Sequence, residues 1–246
     1  MKSKSLIPLL FALTSAGLAS AQEAAKTIDP KAKAVIEKSI EAIGGKEAMA
    51  KITSRTAVGK LEMPAQGMTM SLEVKQKAPL MFYSKAVLPE VVTVEQGFDG
   101  EEGWAKDTIQ GSRKLAGAEL AQAKDGAGIF YELQLLEELT DAKVLPDQKE
   151  GDQRFDVIEA NTKDGSTKTL FFDKATHLLV RVITKAIVGP DGEMEMDMKA
   201  SDYKEIDGIK IAHTMTMTVD PQKVVMKYTE IEHNQEIADE VFKMKK

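Results

Sequence analysis

The sequence predicts a mainly β protein with some α-helix: a single curved antiparallel sheet, a half-barrel of about eleven strands, covered by helices. Extended segments over 54–98, 143–160 and 167–232 alternate apolar and polar residues, which places every second side chain on one face of a strand. Turn residues, such as Asp207-Gly208 and the Gly-Pro-Asp-Gly run at 189–192, separate successive segments. Stretches with helical spacing interrupt the β pattern and supply the cover.

The strongest alternation is a stripe of methionines in two neighbouring segments. Between 193 and 199 the methionines alternate with charged residues, and between 214 and 219 they alternate with threonines. Each strand therefore has one apolar, sulfur-rich face and one polar face, and the segment 68–77 repeats the pattern earlier in the chain. This apolar face either simply fills the core under the helices or also lines a ligand site, and the pattern leaves both open. The candidate ligand-lining residues are Met68, Met70, Leu72, Met194, Met196, Met198, Met215 and Met217.

Capping signals define the first helix. Asp29 suits the N-cap, Pro30 suits the first helical position, and Gly44-Gly45 is typical of a helix end, so we predict a helix over 30–43. A short helical turn over 46–52 and a closing helix over 237–242 are also predicted.

A helical insertion over 115–142 is expected to separate two β halves. Phe130 and Leu133 share its apolar stripe, and we add both to the predicted ligand-lining residues. This insertion either packs permanently on the sheet or forms a mobile lid. The sequence leaves these alternatives open.

The first residues are typical of a signal peptide. Lys2 and Lys4 precede an apolar run at 6–18, and Ala19-Ser20-Ala21 fits a cleavage site. We expect residues 1–21 to be removed and residues 22–246 to form one periplasmic or secreted domain, rather than a protein held by an uncleaved anchor. No later segment is long and apolar enough to predict stable membrane insertion.

Charge and cysteine content restrict the class of protein. The formal net charge of −6 argues against nucleic acid as a partner. The chain has no cysteine, so an exported form must depend on its hydrophobic core rather than on disulfides.

Sequence motifs of catalysis are missing: there is no G-x-S-x-G elbow, no H-E-x-x-H and no glycine-rich phosphate loop. His177, His213 and His233 lie in separate segments, and we predict surface or rim positions for them rather than metal ligation. We therefore predict a protein that is not an enzyme, without catalytic residues, cofactor or metal. Copper(I) on the methionines is a weaker alternative, because same-face neighbours on a strand are about 7 Å apart, too far for consecutive ones to share an ion.

Three short stretches of the sequence fit the pattern of one known family, and the second and third recur in it. They are Gly97-Phe98-Asp99-Gly100 with Gly103-Trp104, the run FDKATHLLVR at 172–181, and Tyr203 followed by Asp207-Gly208-Ile209. With the order of elements, they resemble the LolA/LolB/LppX-like family of outer-membrane lipoprotein-sorting proteins. The resemblance implies an eleven-stranded half-barrel whose open apolar side holds acyl chains without a covalent step. It does not identify an arginine that locks the lid among Arg55, Arg113, Arg154 and Arg181.

From this resemblance we expect a non-enzymatic periplasmic carrier or sensor of lipids or lipoprotein acyl chains, bound between the methionine-rich face and a helical lid. Envelope membrane proteins are a further class of expected partner. The alternatives are a structural or protein-binding module with a filled core, and an accessory domain of an envelope enzyme with Asp99, Glu102 and Trp104 near its site. A cavity of several hundred Å³ would favour the carrier.

Overall fold

The computed structural model of the protein describes residues 27–109, 111–163, 165–187 and 193–245. The expected signal peptide at 1–21 and the turn at 189–192 lie outside the described residues. The helices are α1 (Pro30–Ile43), α2 (Lys46–Met49), α3 (Gly117–Asp125) and α4 (Tyr131–Glu138). The strands are β1 (Ser54–Met63), β2 (Met68–Lys77), β3 (Met81–Leu88), β4 (Val92–Phe98), β5 (Gly103–Asp107), β6 (Gly111–Lys114), β7 (Leu139–Glu150), β8 (Gln153–Thr162), β9 (Thr167–Asp173), β10 (Leu179–Ile187), β11 (Glu193–Ile206), β12 (Ile209–Val219) and β13 (Gln222–His233).

All of these strands belong to one 13-stranded sheet, in the order β6-β5-β4-β3-β2-β1-β13-β12-β11-β10-β9-β8-β7. Neighbouring strands are antiparallel and consecutive in sequence except at the centre, where β1 pairs with β13. The strands β6 and β7 form the two edges, so the sheet is open rather than closed into a barrel. This architecture confirms the predicted fold class.

Element boundaries differ from the prediction in a few places. The sequence pattern missed β6, because its residues are all exposed and do not alternate. The prediction of helix up to residue 142 is wrong: β7 begins at Leu139, and Ala142 pairs with Ala160 on β8. Helical spacing of leucines is thus overridden by strand pairing that the local sequence does not show. The helical stretch predicted at 46–52 ends at Met49, and that at 237–242 is reduced to a 3-10 turn, Asp239–Val241.

The helix α1 forms where the sequence places its capping signals. The Asp29 carboxylate accepts a hydrogen bond from the N–H of Lys31 at 2.8 Å, and Pro30 occupies the first position, where a missing N–H costs nothing. Gly44 ends the helix with a φ of 151°. A Cβ atom at Gly44 would lie 2.5 Å from the carbonyl oxygen of Gly208, so glycine allows the end of α1 to contact the β11–β12 turn.

One face of the sheet, which we call the inner face, packs against α1. Ile36 and Ile40 on the apolar side of α1 are 0% exposed. They belong to one core with Leu170, Phe172 and Ile209, which alternate onto the inner face of their strands. Burying a side chain of this size contributes about 1.5–3 kcal/mol, so α1 is a major part of the core.

The opposite, outer face is covered over β3 to β5 by the C-terminal segment. The Trp104 indole donates a hydrogen bond to the carbonyl oxygen of Phe242 at 2.7 Å, and the Lys77 ammonium donates to that of Ile237 at 2.9 Å. A Cβ atom at Gly97 would lie 2.4 Å from the indole nitrogen of Trp104. Gly97 and Trp104 therefore have a structural role. Because Gly97 has no side chain, the Trp104 ring can pack against β4 and bind the C-terminal segment.

Replacing Ile36 with alanine should lower the free energy of unfolding by about 2–4 kcal/mol, because it leaves a cavity at a fully buried position. Urea denaturation followed by circular dichroism measures the change. The control is Lys38→Ala on the exposed side of the same helix, which should change the free energy by less than about 0.5 kcal/mol. Equal losses in the two variants would contradict the packing described for α1.

Candidate ligand-binding site

The residues predicted to line a ligand site lie on β2, β11 and β12 and around the start of α4. Their register on the strands places them on the inner face, where Met198 pairs with Met217. Met70 and Leu72 are buried in the core, at 3% and 5% exposure. The remaining residues are half-buried: Met68, Met194, Met196, Met198, Met215, Met217, Phe130 and Leu133. Their contact with a ligand stays a prediction.

A cavity of about 200 Å³ lies between the end of α1, the start of α4 and the strands β1, β2, β12 and β13. We call it the Arg55 cavity, after the arginine in its wall. Phe130 and Met215 of the predicted set line it. Most of the other lining groups are apolar or aromatic, including Ala57, Val74, Ile129, Ile211, Tyr228 and Ile231.

Arg55 on β1 holds the segment that leads into α4. Its Nη1 donates a hydrogen bond to the carbonyl oxygen of Ile129 at 2.9 Å, and its guanidinium carbon lies 5.0 Å from the centre of the Phe130 ring. Burial lowers the pKa of Arg55 to about 10, so the group stays charged at neutral pH. Gln76 on β2 adds a second attachment, because its Nε2 donates to the carbonyl oxygen of Gly128 at 2.8 Å. We call Arg55 and Gln76 the clasp.

A buried carboxyl group, Glu132 at the start of α4, lies in the same cavity. Burial raises the pKa of Glu132 to about 6, against the opposing effects of its own backbone N–H and the charge of Arg55. Burial also raises the pKa of Tyr203 and Tyr228, which line the cavity beside it. The ionised form of Glu132 is therefore destabilising at neutral pH.

His233 on β13 connects the clasp to the β11–β12 turn. Its Nδ1 lies 3.0 Å from the Oδ2 of Asp207, and its Nε2 lies 3.4 Å from the Nε of Arg55. Burial and the charge of Arg55 lower the pKa of His233, so the neutral ring donates from Nδ1 and accepts at Nε2. The predicted surface or rim position is wrong for His233, at 8% exposure, and for His213, at 5%. His233 is covered by contacts with Arg55 and Asp207, which are distant in sequence, whereas the His213 ring contacts the nearby carbonyl oxygen of Ile211 at 3.1 Å.

A second cavity, of about 710 Å³, lies between α3 and the strands β9, β10 and β11. We call it the Lys168 cavity; Met196 of the predicted set lines it. The Lys168 ammonium donates a hydrogen bond to Asp125 on α3 at 2.5 Å and lies 5.2 Å from the centre of the Tyr131 ring. Because Tyr131 lines the Arg55 cavity, this contact marks where the two cavities approach each other.

The acidic cluster beside Trp104 forms a turn rather than a pair of converging carboxylates. The Oδ1 of Asp99 accepts hydrogen bonds from the N–H groups of Glu101 and Glu102 at 3.0 and 2.8 Å, and Glu102 forms an exposed ion pair with Lys114 at 2.7 Å. Within the described ranges, no group of three or more histidine or acidic side chains is placed to hold a metal ion. In the same ranges, no helix has the length and apolar character needed to cross a membrane.

Sequence reasoning did not find the clasp or the buried lysine. The partners of Arg55 and Gln76 are backbone carbonyls 74 and 52 residues away, so no local motif marks them. The burial of Lys168, by contrast, could have been predicted from the alternation along β9. Lys168 shares a strand face with Leu170 and Phe172, and a period-two count therefore places its ammonium in the core.

Comparison with solved structures identifies similar folds at low sequence identity. A domain assigned provisionally to outer-membrane lipoprotein sorting, from Vibrio parahaemolyticus, is 16% identical with a TM-score of 0.55, over 84% of this chain and 97% of its own. A DUF1329 family protein from Desulfovibrio piger is 13% identical with a TM-score of 0.60, over 86% and 97%. A LolA superfamily protein from Nitrosomonas europaea is 13% identical with a TM-score of 0.58, over 87% and 97%.

The protein has a LolA-like fold. The family resemblance drawn from the sequence is thereby confirmed at the level of fold. No family model and no curated protein sequence matches the chain, and at these identities the structural likeness does not carry a function with it. The Arg55 cavity lies between the inner face of the sheet and the helices α1 and α4, and the Lys168 cavity borders α3 and the strands β9, β10 and β11.

Arg55→Leu should release the segment before α4, because the leucine cannot donate to the Ile129 carbonyl oxygen. We expect amide hydrogen exchange over 128–135 to become about tenfold faster while β1 and β2 remain protected. Mass spectrometry after deuterium labelling measures it, with Arg113→Leu as the control, since the Arg113 pair with Glu119 is on the surface. Unchanged exchange over 128–135 would show that the clasp does not hold this segment.

Glu132→Gln should stabilise the protein at neutral pH and not in acid. The pKa of Glu132 in the folded protein, about 6, lies above the ordinary value of 4.5. Stability due to this group is therefore present below pH 4.5 and lost as the pH rises through 6. The variant should gain about 2 kcal/mol in free energy of unfolding at pH 7.5 and almost nothing at pH 4.

Urea denaturation at the two pH values measures the effect. Glu137→Gln, at an exposed position of the same helix, should show no such dependence. A stability difference between Glu132→Gln and the parent protein that is the same at both pH values would contradict a raised pKa.

Proposed function

We propose that this protein is a non-enzymatic periplasmic carrier of lipids or lipoprotein acyl chains, which lie between the inner face of the sheet and α1, α3 and α4. The observation that carries the proposal is the space there, in cavities of about 200 and 710 Å³. Ligand sites occupy several hundred Å³, whereas a structural module with a filled core leaves no such space. The main alternative is therefore disfavoured.

The half-buried methionines suit acyl chains. Met198 and Met217 are neighbours across β11 and β12, and Met215 is opposite Met226 on β13. Their unbranched thioether side chains change conformation easily and fit irregular apolar partners. Each buried methylene contributes about 0.8 kcal/mol, so about ten of them supply the free energy of a micromolar complex.

The clasp attaches a helical segment to the sheet beside the Arg55 cavity, which is partly open to solvent. The segment between α3 and α4 contains Gly126 and Gly128 and is attached to the sheet by Arg55 and Gln76. Releasing two such hydrogen bonds costs a few kcal/mol and breaks no strand pairing. We propose that the segment between α3 and α4 moves to widen the Arg55 cavity, while α1 and the sheet stay in place.

Location in the bacterial envelope follows from the expected signal peptide at 1–21. The similar structures support it by their descriptions, one as a domain assigned to outer-membrane lipoprotein sorting and one as a LolA superfamily protein. Envelope membrane proteins are the proposed donors and acceptors of the cargo.

Native mass spectrometry of the protein purified from its own periplasm, followed by organic extraction, tests the proposal directly. We expect a lipid or lipoprotein to accompany the protein and to be recovered in the organic phase. Recovery of no apolar ligand, together with no uptake of a fluorescent fatty acid, would contradict a carrier and favour the structural module.

Met215→Asp should weaken binding of a fluorescent fatty acid about tenfold or more, because it places a carboxylate in the wall of the Arg55 cavity. The matched control is Thr216→Asp, which adds the same charge to the next residue of β12, on the opposite face of the strand. Fluorescence titration gives the affinities, and circular dichroism checks that both variants are folded. Equal weakening in the two variants would exclude the inner face as the binding surface.

A further inference from the structure

Lys168 occupies a position that β9 otherwise gives to apolar side chains. It shares the inner face with Leu170 and Phe172 and is 2% exposed. Among the lysines that the structure describes, it is the one that is buried. Removing an ammonium group from water costs several kcal/mol unless an anion compensates, so a negatively charged partner stabilises the lysine at this position.

Asp125, the observed partner, is more exposed to solvent than Lys168. Its oxygen accepts the Lys168 hydrogen bond at 2.5 Å, yet the Asp125 side chain is 34% exposed and that of Lys168 is 3% exposed. The aspartate can turn to water without leaving a buried, unpaired carboxylate. The lysine has no such option, so another anion that enters the cavity can take the place of Asp125.

The Lys168 cavity suits a polar group better than an acyl chain. Hydroxyl, amide and charged groups make up most of its wall, among them Gln122, Asp125 and Thr184, and the apolar side chains are Ala118, Ala121, Ile183 and Met196. Two exposed residues of opposite charge, Lys185 and Glu195, also border it. These two charges offset each other, which leaves the buried ammonium as the group that selects the ligand.

The position of Tyr131 connects this polar cavity to the apolar one. Its ring lies 5.2 Å from the Lys168 ammonium and also lines the Arg55 cavity, beside Phe130 and Met215. A molecule with a charged end and an apolar end can therefore place one on each side of the ring. An amphiphile fits both sets of contacts, and a neutral hydrocarbon fits only one.

We propose that the Lys168 cavity binds the anionic headgroup, a phosphate or a carboxylate, of an amphiphile whose acyl chain lies along the methionines and in the Arg55 cavity. Headgroup oxygens replace Asp125 at the Nζ of Lys168, and α3 thereby loses an attachment to β9. This inference rests on the proposed carrier function and specifies its cargo as an anionic lipid.

Two lysolipids with the same 16-carbon chain test it, one with the anionic phosphoglycerol headgroup and one with zwitterionic phosphocholine, both below their micelle concentrations. Displacement of a fluorescent fatty acid gives the affinity of each. We expect the parent protein to prefer the anionic lipid about tenfold. Lys168→Met, which keeps the length of the side chain, should remove the preference and retain binding of the zwitterionic lipid.

Asp125→Asn provides a second, independent readout and decides the question if Lys168→Met does not fold. Because it removes the competing carboxylate, it should keep or increase the preference for the anionic lipid. Lys174→Met is the matched control, since Lys174 follows the same strand and pairs with Asp147 and Asp156 at the surface. It should leave the preference unchanged.

Equal affinity for both lysolipids in the parent protein would overturn the inference and leave the carrier function intact, whereas binding of neither would count against the carrier itself. Loss of the preference in Asp125→Asn would show that the ion pair is a structural tether. Glycerol phosphate, which has no acyl chain, is the third ligand to test. If it binds as tightly as the anionic lysolipid, the cavity is a site for free phosphate esters and the inference is overturned.

Discussion

An open sheet with one apolar face must have that face covered by other parts of the same chain, and most features of this protein follow from that requirement. The covering α1 packs Ile36 and Ile40 into the core completely, while α3 and α4 cover less closely and leave cavities beneath them. Close packing at one helix supplies stability. Loose packing at the other two leaves space for a ligand, so one sheet face serves both purposes.

Buried charges are concentrated where the less closely packed helices meet the sheet. Arg55 reaches from β1 to the segment before α4, Glu132 lies at the start of that helix, and Lys168 reaches from β9 to α3. Each is more costly to bury than an apolar side chain of the same size, and none is needed to pair the strands. Contacts of this kind are stable while their partners are present and are readily exchanged for others. They attach α3 and the segment before α4 to the sheet.

Much of the fold could be predicted because its signals are local. The caps of α1 at Asp29 and Gly44 and the alternation of the methionines are readable within a few residues, and they place Met198 and Met217 on one face correctly. Exposed β6 carries no alternation, so it was missed. The clasp and the Lys168 pair join groups far apart in sequence, and their geometry depends on the finished sheet. Local pattern cannot supply such contacts.

Pairing of β1 with β13 at the middle of the sheet has a consequence for the order in which the protein can assemble. During synthesis from the N-terminus, β1 has an open edge until residues 222–233 emerge, and before then no strand from β7 onward pairs with any of the strands β1 to β6. The segment before α1 already contacts β7, through the bridge of Ile28 with Ala142 and the hydrogen bond from the Asp29 N–H to the Ala142 carbonyl oxygen. Open edges are the parts of a nascent sheet most prone to pair with another chain. Although β13 is the last strand in sequence, it lies between β1 and β12 in the sheet. Its loss would therefore separate the strands β1 to β6 from the strands β7 to β12.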